Sequence, residues 1–350
     1  MDMGGGTSRP ARVDPPQRTR IPVGEGAGMA TYLVTGSAGF LGSHLSERLL
    51  AAGHRVRGVD CLRDYYSPAL KRMNLEGLLG HPGYEDHRVD LSTADLAPLL
   101  EGCQGVFHLA AQAGVRSSWG QEFNCYTRDN ILASQRLFEA CRGLRIQRLV
   151  YASSSSVYGD AEAFPTAEEA RPQPISPYGV SKLAVEHLGR IYQASFGVPT
   201  VGLRYFTVYG PRQRPDMAFH RFLRRALLDQ PIPVYGGGQQ TRDFTYVEDA
   251  VRATLAAMES GRDGSVYNIG GGERTSLTRT LEILEEHLGH PIQRQFHEVQ
   301  TGDVAHSSAL TTRAREDLGY APLVGMHEGL GRMVAWFRQT WEARAEMRQG

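Results

Sequence analysis

Tyr178 and Lys182 are the two side chains of this sequence best suited to do chemistry together. Their i,i+4 spacing places both on one face of a predicted helix, one turn apart. A free phenol has a pKa of about 10 and is a poor base at neutral pH, but an adjacent ammonium stabilises the phenolate and lowers that pKa. Taken alone, such residues usually form a surface pair. Beside a redox cofactor, they predict a proton shuttle with Tyr178 as the acid/base.

A glycine-rich segment, Gly36-Ser-Ala-Gly39-Phe-Leu-Gly42, lies between a strand-like apolar run and a helical pattern. Its glycines allow the backbone to turn tightly and to approach a pyrophosphate, whose charge meets the N-terminus of the helix. Asp60 ends the next predicted strand, where a carboxylate can accept a hydrogen bond from a ribose 2′-OH and repel a 2′-phosphate. The segment therefore predicts dinucleotide binding. Asp60 favours NAD over NADP, although the nearby Arg63 is an argument in the other direction.

The elements that must position these residues alternate along the chain. Short apolar runs predict strands at Thr31–Thr35, His54–Asp60, Tyr84–Val89, Gly105–Ala110, Arg148–Ser153 and Pro199–Arg204. Helical spacing predicts helices at Phe40–Ala52, Pro68–Leu79, Asn124–Cys141 and Pro177–Phe196, the last with Ser176 as N-cap. Strands that alternate with helices imply parallel βαβ units, so the fold class is α/β with a doubly wound parallel sheet.

The regular alternation weakens after Arg204. Phe219–Leu228, Leu277–Leu288 and Arg332–Ala345 are predicted helices, and loops rich in Gly and Pro lie between them. This pattern predicts a smaller α/β C-terminal domain that closes over the carboxyl edge of the sheet.

Composition excludes several classes of function. The 38 Lys and Arg residues balance 38 Asp and Glu residues, so no basic field would attract nucleic acid or a membrane surface. The four cysteines are scattered and the twelve histidines form no HExxH cluster, so neither a disulfide framework nor a metal site is expected. No window is apolar enough to span a membrane, and the protein is expected in the cytoplasm.

Together with the Ser-rich segment Ser153–Gly159, these motifs resemble the extended short-chain dehydrogenase/reductase family. The resemblance runs from about Thr31 to about Arg338 and includes HLAA at 108–111 and RDFTYVED at 242–249. It implies that Ser154 hydrogen-bonds the reacting hydroxyl, that Tyr178 is the acid/base, and that Lys182 also holds the nicotinamide ribose.

The same resemblance implies a set of residues around NAD. Asp90 and Leu91 would lie by the adenine, and Asn130 would support the site. The full set is Gly36, Gly39, Phe40, Leu41, Asp60, Arg63, Asp90, Leu91, Leu109, Ala110, Ala111, Asn130, Ser153, Tyr178, Lys182, Tyr205 and Val208.

Composition, the pattern of elements and the resemblance together predict a division of the chain. Residues 1–28 contain GGG and PP but almost no large apolar residues, so they predict a disordered tail, and Met29 is a candidate natural start. Residues 29–205 would form the NAD-binding Rossmann domain, rejoined by about 242–270. Residues 206–241 and 271–345 would form the UDP-sugar-binding domain.

Within this family, a few side chains separate the reactions. Dehydratases carry an Asp-Glu pair just after the catalytic Ser/Thr, where this chain has Ser155 and Ser156. UDP-glucuronate decarboxylases typically carry a Glu at the position of Ser156. Both activities are therefore disfavoured.

The segment Arg204–Met217, RYFTVYGPRQRPDM, is similar to that of the UDP-glucuronate 4-epimerases. UDP-glucose 4-epimerases usually have Asn where Thr207 lies. The runs QAGVRS at 112–117 and DYY at 64–66 favour the same subfamily. The resemblance thus implies interconversion of UDP-glucuronic acid and UDP-galacturonic acid through transient oxidation at C4.

Hydroxyls and a guanidinium suit a carboxylate, so Ser155, Ser156, Thr207 and Arg214 are expected around the C5 carboxylate. Arg214 could instead bind the diphosphate or lie on the surface. The remaining substrate residues implied are Arg116, Arg242 at the diphosphate, Asp303 at the uridine ribose, and Phe219 at uracil. For Phe219, a place in the core is nearly as well supported.

Other activities stay open. A 4-epimerase of UDP-glucose or UDP-N-acetylglucosamine is the nearest alternative, and a decarboxylase or 4,6-dehydratase is more distant. A non-catalytic NAD-binding sensor is a different class, but such proteins commonly lose the Tyr or the Lys. By analogy with the family, a homodimer would form through the helices Asn124–Cys141 and Pro177–Phe196.

Overall fold

Seven parallel strands form the central sheet of the computed structural model, which describes residues 28–298 and 304–343. The strands in chain order are β1 Thr31–Thr35, β2 Arg55–Val59, β3 Tyr84–His87, β4 Gly105–His108, β5 Leu149–Ser154, β6 Thr200–Tyr205, β7 Val208–Tyr209, β8 Ile232–Tyr235, β9 Thr241–Asp243, β10 Thr245–Tyr246, β11 Val266–Ile269, β12 Arg274–Ser276 and β13 Arg294–His297. The large sheet has the order β3-β2-β1-β4-β5-β6-β11. The doubly wound α/β fold is therefore confirmed.

The helices are α1 Phe40–Ala51, α2 Pro68–Leu79, α3 Ala97–Leu100, α4 Phe123–Tyr126, α5 Ala133–Ala140, α6 Pro177–Phe196, α7 Ala218–Leu227, α8 Val247–Ser260, α9 Leu277–Leu288, α10 Thr312–Leu318 and α11 Met326–Ala343. Short 3₁₀ turns lie at Arg116–Ser118, Gly120–Glu122, Ser155–Val157 and Gly236–Gly238. Among the described residues, no helix combines the length and the apolar character needed to cross a membrane.

Both faces of the sheet are covered, because its strands alternate apolar side chains between two cores. Along β1, Tyr32 and Val34 pack with α1, α2 and α8, whereas Leu33 packs with α5 and α6. Strand order reverses between β1 and β4, and the carboxyl ends on either side of that point form a crevice. The fold thus places the glycine-rich segment after β1 beside the segment after β4.

Helix α6 follows its sequence signals. The Ser176 hydroxyl caps it by accepting a hydrogen bond from the Gly179 amide at 3.1 Å, and Pro177 is its first residue. The helix ends at Gly197, which adopts a left-handed φ of 68°. Its predicted bounds are confirmed at both ends.

The predicted helix Asn124–Cys141 is interrupted. Between α4 and α5, the segment Thr127–Leu132 adopts a π-helix, which is a frequent feature of functional sites. Asn130 lies in this wider turn, where its side chain bonds to another segment instead of facing solvent. An amphipathic pattern alone does not reveal such an insertion.

The C-terminal part consists mainly of α7, α9, α11 and two small sheets that pair β8 with β13 and β9 with β12. Helix α11 begins at Met326, before the predicted Arg332, because Met326 and Leu330 continue the buried stripe. Strand β11 pairs with β6, so the chain returns to the large sheet after residue 241. The division into two domains stays a prediction.

Candidate active site

A cleft of about 1010 Å³ opens at the carboxyl ends of the sheet strands and continues against α7 and β9. Most of the residues predicted for the cofactor and the substrate line it. They are Gly36, Gly39, Phe40, Leu41, Asp60, Arg63, Asp90, Leu91, Leu109, Ala110, Ala111, Arg116, Ser153, Ser154, Ser155, Ser156, Tyr178, Lys182, Tyr205, Thr207, Val208, Arg214, Phe219 and Arg242. Asp303, predicted at the uridine ribose, lies outside the described residues.

The glycine-rich segment forms one wall of the cleft. Gly36 has a φ of 73°, and a Cβ on it would lie 2.8 Å from the amide nitrogen of Ala110. A Cβ on Gly42 would lie 2.0 Å from the carbonyl oxygen of Gly36. The turn and α1 therefore fit together only because glycines leave room, and the backbone stays bare where a pyrophosphate would approach.

Asp60 and Arg63 together determine whether the site favours a ribose 2′-hydroxyl or a 2′-phosphate. The Asp60 carboxylate accepts hydrogen bonds from the amides of Ala38 and Leu62, which fix it at the end of β2. The Arg63 guanidinium is already paired with Asp90 at 2.7 Å and Asp129 at 3.0 Å. Because two carboxylates neutralise Arg63, the site favours a dinucleotide without the extra phosphate.

The central acid/base candidates come from β5 and α6. Burial raises the pKa of Tyr178, whereas a hydrogen bond with Ser154 and the charge of Arg214 act in the opposite direction. The Lys182 ammonium lies 6.0 Å from the centre of the Tyr178 ring and donates to the carbonyl of Ala152 at 2.9 Å. Desolvation is thus the largest effect on the pKa of Tyr178, and the expectation that Lys182 lowers this pKa stays a prediction.

Gly179 explains how α6 reaches the serine segment. A Cβ at this position would lie 2.5 Å from the carbonyl oxygen of Ser156. The bare backbone lets the first turn of α6 pack directly on the 3₁₀ turn, and the Ser154 side chain accepts a hydrogen bond from the Ser156 amide at 3.1 Å. Gly179, which follows Tyr178 in the sequence, is a residue type that permits such an approach, but the sequence alone does not show which segment it meets.

Lys182→Met should stabilise the protein at neutral pH. Burial lowers the pKa of Lys182 to about 8 from its ordinary 10.5, so the folded state holds this proton less tightly than the unfolded state. Between about pH 8 and pH 10.5 the unfolded state binds more protons than the folded state. The wild-type protein therefore gains stability as the pH rises through this range. Chemical unfolding at pH 7 to 10 measures the free energy of unfolding. At pH 7 this free energy should be roughly 3 kcal/mol larger for the variant than for wild type, and the difference should shrink above pH 8. A difference that is constant with pH would contradict this assignment.

Ser153 has a structural partner behind the cleft. Its hydroxyl donates to Glu186 at 2.5 Å, and Glu186 also accepts two hydrogen bonds from Arg204 at 2.8 and 2.7 Å. Glu186 and Arg204 are both buried, and each compensates the charge of the other. This network anchors the end of β5 to α6 and β6, and it holds Ser153 on the wall of the cleft.

Asn130 does not line the cleft. It accepts from the Gln112 amide at 2.7 Å and donates to the Gln112 carbonyl and to the Ser181 hydroxyl. It therefore joins the segment after β4 to α6, which fits the supporting role that was expected for it.

Arg214 faces the acid/base group from the C-terminal part. Its charge acts on both Tyr178 and Lys182. Its Nε and Nη2 atoms each donate to Asp216 at 3.0 Å, and the Tyr65 hydroxyl donates to the same carboxylate at 3.3 Å. Sequence reasoning did not single out Asp216 or Tyr65, because their contact joins segments that lie far apart in the chain.

The outer part of the cleft contains Arg116, Arg242 and Phe219. The Arg116 guanidinium lies over the Tyr235 ring at 5.1 Å, and Arg242 donates to the carbonyls of Thr241 and Ala305. Phe219 is buried and its ring lies 4.9 Å from that of Phe244. Phe219 therefore belongs to the core and borders the cleft at the same time.

Comparison with known proteins agrees with this geometry. The sequence profile of the NAD dependent epimerase/dehydratase family matches residues 32–270. The Bacillus subtilis protein YtcB, named an uncharacterized UDP-glucose epimerase, is 44% identical over 315 residues, which cover 89% of this chain and 98% of that protein. A UDP-glucuronate 4-epimerase of Thermodesulfobacterium geofontis is 35% identical over 319 residues, covering 90% of this chain and 98% of its own.

A crystal structure of a UDP-glucuronic acid 4-epimerase from Bacillus cereus, in complex with UDP-glucuronic acid and NAD, is 41% identical with a TM-score of 0.86. The match covers 88% of this chain and 99% of that one. The chain therefore belongs to the NAD dependent epimerase/dehydratase family.

Proposed function

We propose that this protein is a UDP-sugar 4-epimerase that uses bound NAD to interconvert UDP-glucuronic acid and UDP-galacturonic acid. The observation that carries the proposal is the meeting of Tyr178, Ser154 and Arg214 in the cleft that the glycine-rich segment also lines. This arrangement supports a site in which an acid/base group and a carboxylate-binding cation act beside a bound dinucleotide.

The residues fit NAD. The glycine-rich segment would hold the pyrophosphate. Asp60 would accept a hydrogen bond from a hydroxyl of the first ribose, and Lys182 would bind the second ribose. When bound, NAD accepts a hydride from C4 of the sugar and returns it.

Gly42→Ala should remove most of the bound NAD. The added Cβ would fall 2.0 Å from the Gly36 carbonyl oxygen, so the turn or α1 must shift at the point of closest approach to the pyrophosphate. We expect the NAD content of the purified protein to fall at least about tenfold, measured by chromatography after denaturation, for a loss of roughly 1.4 kcal/mol or more. Gly77→Ala on α2 is the matched control, because its Cβ would make only an ordinary contact at 3.6 Å. Equal NAD content in both variants would contradict the role of the glycine-rich segment in binding NAD.

The chain's own residues account for proton transfer. In the proposed mechanism Tyr178, as phenolate, takes the proton of the 4-hydroxyl and returns it to the same oxygen when the turned ketone is reduced on its other face, while Ser154 hydrogen-bonds that oxygen. The intermediate 4-keto sugar must turn within the cleft before it is reduced. Because each turnover restores the cofactor, none has to be supplied from solution.

A uronic acid adds a risk, because its 4-keto form is a β-keto acid that can lose CO₂. Decarboxylation needs the C5–carboxylate bond roughly perpendicular to the carbonyl plane. Arg214, Ser155, Ser156 and Thr207 would hold the carboxylate near that plane, since hydroxyls and a guanidinium form directed bonds to it. Ser155 and Ser156 also leave this chain without the extra acid and base of a dehydratase.

The test is to incubate the purified protein, without added NAD, with UDP-glucuronic acid, UDP-glucose and UDP-N-acetylglucosamine. Proton NMR should show inversion at C4 of the uronate, with a kcat/KM well above that for the other two. The similarity to YtcB makes a UDP-glucose 4-epimerase the second candidate. A preference for UDP-glucose would favour it, and a UDP-pentose or a 6-deoxy-4-keto product would favour a decarboxylase or a dehydratase.

We also propose a cytoplasmic homodimer. Val180, Ile191 and Phe196 on α6 and Leu132 before α5 are exposed apolar side chains on the two helical segments expected to pair. The four free cysteines are in keeping with a reducing compartment. Sedimentation of the purified protein tests the dimer, and a monomer at micromolar concentration would contradict it.

A further inference from the structure

We propose that Asp216, itself held by Tyr65, is a positioning residue that orients Arg214 toward a uronate carboxylate and thereby gives the enzyme its preference for acidic sugars. The inference rests on the proposed function and deepens it, because it names the group that prepares the carboxylate site.

Arg214 and Asp216 form a bidentate ion pair. Two parallel hydrogen bonds of 3.0 Å join Nε and Nη2 of Arg214 to the two carboxylate oxygens. Asp216 therefore takes one edge of the guanidinium, and Nη1 lies on the edge that this pair does not use. Both side chains are partly buried, 23% and 30% exposed, and Arg214 lines the cleft. One edge of the cation is thus bound to the protein, and the other can bind a ligand carboxylate.

Asp216 is held from a second direction. The Tyr65 hydroxyl, which donates to Asp216, also lies 3.2 Å from the Ser117 hydroxyl, and Ser117 lies 2.8 Å from the hydroxyl of Tyr126. The Tyr126 ring in turn meets the edge of the Tyr178 ring, with centroids 6.2 Å apart. A continuous chain of contacts therefore runs from the internal carboxylate to the acid/base group.

Gly114 provides independent support. It adopts a φ of 103°, and a Cβ on it would lie 2.3 Å from the Tyr65 hydroxyl and 2.5 Å from the Ser117 hydroxyl. Any other residue here would be strained and would separate these two groups. The segments 64–66, 112–117 and 204–217, which favoured the same subfamily in the sequence, thus converge on one carboxylate.

The pair has two consequences for substrate choice. An arginine that is not paired has several rotamers and loses their entropy when it binds a carboxylate; Asp216 removes part of that cost beforehand. Asp216 also fixes which edge of the guanidinium is left for a ligand, because it occupies Nε and Nη2. Charge on Asp216 is maintained because burial, which raises its pKa, is outweighed by Arg214 and Tyr65, so that the net pKa is lowered.

The experiment measures the dissociation constants of UDP-glucuronic acid, UDP-glucose and UDP by calorimetry on the NAD-bound protein. The variants are Asp216→Ala, Asp216→Asn and Tyr65→Phe. The control is Asp86→Asn, which breaks an ion pair with Arg88; neither of these two side chains lines the cleft. In wild type we expect tighter binding of the uronate than of the neutral hexose. Asp216→Ala should reduce that preference at least about tenfold, Asp216→Asn and Tyr65→Phe should reduce it less, and UDP binding should stay within about twofold.

Turnover supplies a second readout that a general loss of structure would not produce. Asp216→Ala should form a measurable share of UDP-pentose from UDP-glucuronic acid while retaining NAD. An unchanged preference for the uronate together with no pentose would overturn the inference and leave the proposed function standing. A wild-type protein that binds and epimerises UDP-glucose in preference to the uronate would overturn both.

Discussion

Tyr178→Phe should lower the rate of epimerisation on the order of 10³-fold, because the variant lacks the ionisable hydroxyl that takes the proton of the 4-hydroxyl in the proposed mechanism. The phenyl ring preserves the packing against Tyr126, and the glycine-rich segment proposed to bind NAD lies between β1 and α1, away from α6 in the chain. We therefore expect unchanged NAD content and unchanged binding of UDP. Single-turnover assays with UDP-glucuronic acid, followed by chromatography of the products, measure the loss.

Tyr192→Phe is the matched control on the same helix. Its hydroxyl bonds to Gln135 and Glu139 on α5, almost four turns along α6 from Tyr178, and Tyr192 does not line the cleft, so its loss should leave turnover within about twofold. If Tyr178→Phe kept more than about a tenth of the wild-type rate, the acid/base assignment would be wrong.

Arg214→Ala should raise the KM for UDP-glucuronic acid about a hundredfold and divert part of the turnover to a UDP-pentose. Losing a charge-assisted fork to a carboxylate costs on the order of 2–3 kcal/mol, which corresponds to that factor. The freed carboxylate can also reach the orientation that favours decarboxylation. NMR of the product mixture measures both effects in one experiment.

Arg214→Lys separates charge from geometry. It keeps a cation at the site but loses the planar fork that now binds Asp216, so we expect a smaller rise in KM and still some pentose. Epimerisation by Arg214→Ala with a normal KM and no pentose would contradict the role of Arg214 as the carboxylate clamp.

Much of the fold could be predicted because its signals are local. Residues 31–35 alternate sides of a buried strand, and Ser176, Pro177 and Gly197 mark the two ends of α6. The glycine turn after β1 and the acidic end of β2 are features of short segments as well. Each of these patterns depends on neighbours within a few residues, which a sequence displays directly.

What the sequence did not reveal depends on contacts between distant segments. The partnership of Asp216 with Tyr65 joins residues 151 positions apart, and no periodicity connects them. The π-helical turn at Asn130 likewise becomes visible only once α6 lies against the segment after β4, and the close approach at Gly179 only once α6 lies against the turn after β5. The acid/base pair itself shows the same limit: its spacing was evident, but burial, which raises the pKa of Tyr178, depends on the whole fold.

Transfer of hydride to the cofactor and back within one active site is the central claim, and deuterium at C4 tests it most directly. UDP-glucuronic acid labelled with deuterium at C4 should give UDP-galacturonic acid that keeps the label at C4, in ordinary water and without added NAD. Proton NMR would then show no H4 signal in the product and no label elsewhere in the ring. Washout of the label into solvent, or uptake of solvent hydrogen at C4, would contradict the account.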